Sequence, residues 1–203
     1  STQFRRLRAL ASVPEEHYVA SMCSKPFKGQ SGQGGKSGAL FLKTHDERYI
    51  VKTIADHEFD CLRDILPNYL MYLEENRASL LSRFYGAYAL TIGHSTLRVV
   101  VMGNCLMGAQ SQVYDLKGTT EDRWVDPVQH SVLKDTNFSP YTILLEAGRV
   151  DQLRRVIQDD AEFLECCGLM DYSLLVGVAS SADASVDGAG GGADVIESPP
   201  SLR

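Results

Sequence analysis

The stretch SGQGGKSGALFLKTHDERYIVKTI, residues 31–54, constrains this chain more than any other. Four of its first eight residues are glycine, so the backbone there can come close to a ligand or to another segment. Two apolar runs follow, ALFLKT and RYIVKTI, divided by the short polar HDE. That pattern predicts an antiparallel β-hairpin. A Walker A loop would need glycine where Gln30 stands, and a helix after it. The dinucleotide pattern GxGxxG fails at Ser37. What survives is a glycine loop feeding a strand pair.

The second strand carries Lys52, and alternation puts it on one face with Ile50 and Ile54. An ammonium between two isoleucines is costly to bury unless an anion compensates it. Kinase-type folds use such a strand lysine against nucleotide phosphates. The alternative is an edge lysine that snorkels to water, and both readings stand on the pattern alone.

A chain of 203 residues accommodates one large domain or two small lobes. Its 44% hydrophobic and 23% charged residues are ordinary for a soluble globular protein. No apolar run approaches the roughly 20 residues that span a bilayer. No signal peptide is visible, and the chain opens on Ser1 without an initiator Met, so it reads as an excerpt or a processed or incomplete product. The five cysteines, Cys23, Cys61, Cys105, Cys166 and Cys167, are odd in number and form no CxxC. Neither a disulfide framework nor a zinc site is favoured, and a reduced cytosolic setting is expected. The net charge of −6 argues against a nucleic-acid binder. Its distribution is uneven: residues 1–103 carry 13 Lys+Arg against 10 Asp+Glu, and residues 104–203 carry 7 against 16. The basic half could face an anionic surface.

Phe4, Leu7 and Leu10 predict a short basic amphipathic helix, either touching membrane or packed on the domain. EEHYVASMC adds helical turns. DHEFDCLRDIL predicts a helix capped by Asp56, which Pro67 should end or kink before NYLMYLEEN resumes. RFYGAYALTI and TLRVVVM form a second hairpin around Gly93-His94-Ser95. Hairpin, helix, hairpin is an α+β layer with an antiparallel sheet. In the second half a helix is expected from about Gly148 to Cys167, with Gly168 at its C′ position. LMDYSLLVGVA reads as a buried strand or hairpin. The Ser-, Ala-, Gly- and Asp-rich residues 180–203 should be a disordered tail.

The motifs GGKSGALF, RYIVKTI, LLSRFYG, VVVMGN, YDLKGTT, LKDTNF and FLECCGLMDYSLLVGV occur in that order. Together, over residues 4–179, they resemble the phosphatidylinositol phosphate kinase family, with Thr119 replacing the serine of its DLKGS signature. The resemblance implies a two-lobed lipid-kinase fold, distantly like that of protein kinases. Its N-lobe would be 1–103, its partial C-lobe 104–179, and 180–203 a tail or the start of an insert. It implies ATP and Mg²⁺ as cofactors, with Gly34, Gly35, Lys36, Ser37 and Gly38 over the nucleotide and Lys52 on its phosphates. Residues 101–104, including Met102 and Asn104, would border the adenine. Asp171 falls at the catalytic aspartate, orienting a hydroxyl or meeting Mg²⁺. Asp115 and Lys117 would lie at the cleft or form an ion pair with each other, since an extended segment puts them on one face. Arg123 matches a basic residue used toward the inositol-ring phosphate, a task that suits a guanidinium, though here it is flanked by Glu121, Asp122 and Trp124. Lys134-Asp135 matches the family's KD pair, for which the resemblance implies no role beyond structure. The implied substrate is a phosphoinositide lipid, most often phosphatidylinositol 4-phosphate, met peripherally at the cytosolic face of a membrane. A homodimer and a non-catalytic pseudokinase or scaffold stay open as alternatives. A protein kinase is disfavoured by the lack of HRD, DFG and APE sequences.

The family's second metal-binding aspartate, in an Ile-Ile-Asp motif, and the specificity loop beyond it have no counterpart in these residues. Asp183, Asp187 and Asp194 lie in low-complexity surroundings. The expectation is a chain that stops inside the variable insert. Residues 1–203 alone would then bind nucleotide weakly and turn over little lipid, lacking one charge-neutralising carboxylate.

Overall fold

Two nine-residue strands, Phe84–Ile92 and Ser95–Gly103, form the longest hairpin among the described residues. They meet at Gly93-His94, where Gly93 takes a φ of +62° that a tight turn requires and glycine tolerates. The computed structural model describes residues 1–29, 39–108, 112–179 and 196–197. Those residues fall into two compact units, Ser1–Met107 and Gly108–Arg203.

The first unit opens with helices α1 (Thr2–Leu10) and α2 (Glu15–Cys23). Strands β1 (Lys28–Gly29), β2 (Phe41–Lys43) and β3 (Tyr49–Thr53) follow, then helix α3 (Asp56–Glu75) and the hairpin strands β4 and β5. All five strands make one antiparallel sheet in the order β1-β2-β3-β5-β4. Its core face carries Tyr49, Val51, Tyr85, Val99 and Val101, covered by Tyr18 of α2. The tyrosine rings meet edge-on, Tyr18 to Tyr49 at 5.3 Å and Tyr49 to Tyr85 at 5.5 Å, an arrangement their quadrupoles favour. A bulge at Tyr85 turns its carbonyl toward Arg8, whose guanidinium donates to it. The same guanidinium donates to both Glu15 oxygens, at 2.7 and 2.9 Å, and lies 4.4 Å from the Tyr18 ring centroid. Arg8 therefore folds inward and Phe4 and Leu7 are buried beside it. Of the two readings of the N-terminal helix, packing onto the domain is the one observed.

Helix α3 departs from expectation at its start. Ala55, not Asp56, is the N-cap, and its N–H donates to Glu58 Oε2 at 2.7 Å, the return half of a capping box. Pro67 does not end the helix, and NYLMYLEEN continues it as expected, through Glu75. Leu62, Leu66, Tyr69, Leu70 and Leu73 are all buried along one stripe. Their burial, at roughly 1.5–3 kcal/mol for each large side chain, outweighs the roughly 3 kcal/mol that an interior proline costs.

The second unit holds a mixed three-stranded sheet. Strand β6 (Gln112–Leu116) lies between β7 (Val132–Lys134), which is parallel to it, and β9 (Leu174–Val178), which is antiparallel. Between them come the single turn α4 (Asp135–Phe138), β8 (Thr142–Ile143) and helix α5 (Ala147–Cys166). Tyr114, 1% exposed, anchors the core with Val125 and Leu133, and Phe138 packs on its ring at 5.0 Å. Helix α5 closes in a Schellman motif: Gly168 N–H donates to Glu165 O at 2.8 Å and Leu169 N–H to Leu164 O at 3.0 Å. Gly168 takes the left-handed φ of +69° that the motif demands. Strand β9 is only half covered. Val176 and Val178 pack on the Tyr114 cluster, whereas Leu174 and Leu175 are exposed, which corrects the expectation of a buried strand. In the expected tail, β10 (Ile196–Glu197) pairs with β8. The remainder of that tail lies outside the described residues.

Candidate functional site

The sheet register decides what surrounds Lys52. It stands opposite Phe41 on β2 and Val100 on β5, and Ile50 stands opposite Met102. Directly paired residues share a face, so Phe41, Ile50, Lys52, Val100 and Met102 line the face away from the tyrosine core. Ile54 falls beyond the end of β3, so the sandwich of two isoleucines around the ammonium is replaced by an aromatic platform. Lys52 Nζ lies 5.6 Å from the Phe41 ring centroid, and among the described residues no carboxylate pairs with it. A partly buried ammonium without an internal counter-charge fits an anion from outside.

Past β5 the connector is organised by Asn104, which is buried. Its side-chain amide donates to Glu47 O at 2.7 Å, and its carbonyl accepts Leu106 N–H at 3.1 Å. The backbone N–H groups of Gly103 and Asn104 donate to Arg83 O and Arg48 O, both at 2.9 Å. These two donors are therefore committed to the sheet, and the side chain of Asn104 shapes the connector. Gly34, Gly35, Lys36, Ser37 and Gly38, expected over the nucleotide, lie outside the described residues.

In the second unit the two signature motifs meet. Lys117 follows β6, and its ammonium donates to Asp171 Oδ1 of MDYSLL. Asp171 takes a φ of +63°, a left-handed conformation uncommon outside glycine and strained by about 1–2 kcal/mol. Its side chain is 82% exposed. The hydrogen bond from Lys117 and its positive charge hold the Asp171 carboxyl below the usual carboxylate range. An ionised, solvent-facing carboxylate beside an ammonium can orient a hydroxyl and attract a phosphate at one place.

Asp115 and Lys117 do not pair with each other, because β6 ends at Leu116 and the chain turns. Asp115 instead takes Arg123. Arg123 Nη2 donates to Asp115 Oδ2 at 2.9 Å and also to its carbonyl, while Nε donates to Asp135 Oδ2 at 2.7 Å. Arg123 is buried; burial alone would lower its pKa, but the two carboxylates overcome this and raise it. The expected inositol-phosphate ligand thus has much of its fork occupied by protein. Asp135 is the residue whose importance the motif reading left general. Its other oxygen accepts Lys117 N–H at 2.9 Å and Gly118 N–H at 2.8 Å. Asn137 completes the brace, bonding Val125 N–H, Val125 O and Lys134 N–H. A polar triplet at 135–137 directly after a strand was the available signal; the side-chain partners of Asp135 lie 12 to 18 residues away and no local pattern names them.

The donor set fits the two implied cofactors unequally. Lys52 without a carboxylate suits the phosphates of ATP. For Mg²⁺, no group of three His, Cys, Asp or Glu side chains comes together among the described residues. Asp171 offers one carboxylate whose Oδ1 already accepts from Lys117. Mg²⁺ in phosphoryl-transfer sites commonly takes one or two carboxylates plus substrate phosphates. Among the described residues Asp171 therefore supplies a single ligand, the lower end of that range.

The sequence profile described as Phosphatidylinositol-4-phosphate 5-Kinase matches residues 22–199. The chain is 35% identical over 184 residues to phosphatidylinositol 4-phosphate 5-kinase type-1 beta of Mus musculus, which covers 86% of this chain and 34% of that protein. It is 34% identical over 184 residues to the type-1 alpha enzyme of Rattus norvegicus, with the same coverage. With phosphatidylinositol 4-phosphate 5-kinase 3 of Arabidopsis thaliana it shares 33% over 183 residues, 86% of this chain and 26% of that one. The chain thus spans about a third or less of the length of these relatives.

Proposed function

The chain belongs to the phosphatidylinositol-4-phosphate 5-kinase family, and from that membership we propose that it carries phosphoryl-transfer machinery acting on a phosphatidylinositol phosphate. The donor is ATP, and the acceptor is an inositol hydroxyl, the 5-hydroxyl of phosphatidylinositol 4-phosphate being the one that the relatives' names support. The observation that carries the reading is the Lys117–Asp171 pair, which joins the two signature motifs in one place.

The roles follow from the chemistry of each group. Lys52 neutralises ATP phosphates from the Phe41–Val100 face of the sheet, and Met102 on the same face offers an apolar wall to the base. Asp171 accepts a hydrogen bond from the attacking hydroxyl and aims its oxygen at the γ-phosphorus. Lys117 keeps that carboxylate ionised and offsets charge on the phosphoryl oxygens in flight. Mg²⁺, when bound, supplies further neutralisation of the phosphates, with Asp171 as a ligand from this chain. Asp115 and Arg123 act mainly by shaping the Lys117 turn. The fold is read as the two-lobed kinase-like arrangement, with the first unit handling nucleotide and the second the acceptor.

Access to substrate is peripheral, at the cytosolic face of a membrane. Among the described residues no helix is long and apolar enough to cross one. The non-catalytic alternative has no specific observation in its favour. A lipid-array assay with γ-labelled ATP and the full-length gene product tests the proposal. Label is expected on phosphatidylinositol 4-phosphate; label on protein substrates with none on any phosphoinositide would overturn it.

A further inference from the structure

Lys117 lies one residue beyond the end of β6, so the sheet ladder does not fix its backbone. The Asp135 carboxylate does. One oxygen receives the successive N–H groups of Lys117 and Gly118, at 2.9 and 2.8 Å, and the other receives Arg123 Nε at 2.7 Å. Two consecutive amides converge on one oxygen because Gly118 takes a φ of +77°, a nest-like geometry that binds anions. The Asp135 side chain is 11% exposed and that of Arg123 10%. A carboxylate so enclosed needs its counter-cation, and Arg123 is fixed from its far side by Asp115.

The consequence lies at the tip of Lys117. A lysine side chain has four rotatable carbons, and a free one loses considerable rotamer entropy when held in a single direction. Anchoring its backbone removes part of that disorder before the ammonium meets Asp171. We propose that Asp135 is the positioning residue of this site: it fixes the Lys117–Gly118 turn so that the Lys117 ammonium is delivered onto Asp171, and Arg123 serves as its counter-cation. This rests on reading the Lys117–Asp171 pair as part of the transfer site, and it adds a residue that touches neither nucleotide nor lipid.

The pair allows a test that needs no turnover. A water-soluble carbodiimide activates exposed Asp171 and joins it to Lys117 as an amide, with loss of water, seen by mass spectrometry as a linked peptide. In Asp135→Asn the new side chain can accept from the two amides or from Arg123, not from both. The linked yield should then fall about tenfold, the population factor of one charge-assisted hydrogen bond. Two readouts should stay at wild-type level: linkage of Lys28 to Glu47, 2.8 Å apart in the first unit, and the helical circular dichroism signal to which α5 contributes. Equal Lys117–Asp171 linkage in wild type and Asp135→Asn, with both controls intact, overturns the positioning role. Absence of linkage in the wild-type chain instead overturns the pairing on which the proposed function rests. Should Asp135→Asn disturb the α5 control, hydrogen exchange in the wild-type chain decides. Protected Lys117 and Gly118 amides support the clamp, and exchange at solvent rates overturns it.

Discussion

Lys117 reaches across 54 residues of sequence to place its ammonium on Asp171. The contact joins a strand end to the residue that follows the Schellman-capped end of α5 by three positions. Both side chains are open enough to water for the pair to matter little to folding. Lys117→Met should therefore leave the thermal midpoint unchanged while lowering lipid phosphorylation by about 100-fold, the usual scale for removing one charge-stabilising group. A midpoint shift with activity intact would make the pair structural.

Lys52 gives a parallel expectation in the first unit. It lacks a carboxylate partner among the described residues and lies beside Phe41. Replacing it with methionine keeps the apolar stem and removes only the charge. Lys52→Met should weaken ATP binding about tenfold or more by titration calorimetry, through loss of a charge-assisted contact. Stability should stay within about 0.5 kcal/mol of wild type.

Acid sensitivity of the second unit follows from Asp135. Burial pushes its carboxyl up, but hydrogen bonds from Arg123 and from the Gly118 and Lys117 amides outweigh this and hold it below the usual range. In the unfolded chain it ionises near the ordinary aspartate value of about 3.9. A lowered folded pKa adds stability that is present above that value and lost as the pH falls beneath it. Unfolding followed through Trp124, the single tryptophan of the chain, should show stability dropping below about pH 4. Asp135→Asn should be less stable at pH 7 and show a shallower decline with acid. An unchanged slope would remove Asp135 from the network.

Pro67 is exposed on the outer side of α3. Alanine there restores a helical hydrogen bond and leaves the buried stripe untouched. Pro67→Ala should raise stability by about 1–3 kcal/mol, read as a higher melting midpoint by circular dichroism. A lower midpoint would mean that the proline ring itself is packed.

Where local rules governed, the sequence was readable. Alternation and short polar turns located β2–β3 and β4–β5, and Gly168 marked the end of α5 because a left-handed C′ residue is close to a glycine requirement. Local rules failed where distant burial decided. Pro67 was overridden by Leu66, Tyr69, Leu70 and Leu73, whose packing no single window displays. The Asp115–Lys117 ion-pair alternative fails because β6 stops one residue short of Lys117, which removes the shared face that an extended chain would give. Arg123 looked like a ligand from its motif position. Its commitment to Asp115 and Asp135 is tertiary, set by how the 117–125 segment folds onto the start of α4.

The central claim is that Lys52 and Asp171 are both required for one transfer of phosphate from ATP to a phosphoinositide. Its most direct measurement is label transfer from γ-labelled ATP to phosphatidylinositol 4-phosphate vesicles by the full-length gene product, with Lys52→Met and Asp171→Asn alongside. Transfer by the wild type that each substitution cuts by about 100-fold or more is the predicted result. Wild-type transfer that survives both substitutions would contradict it.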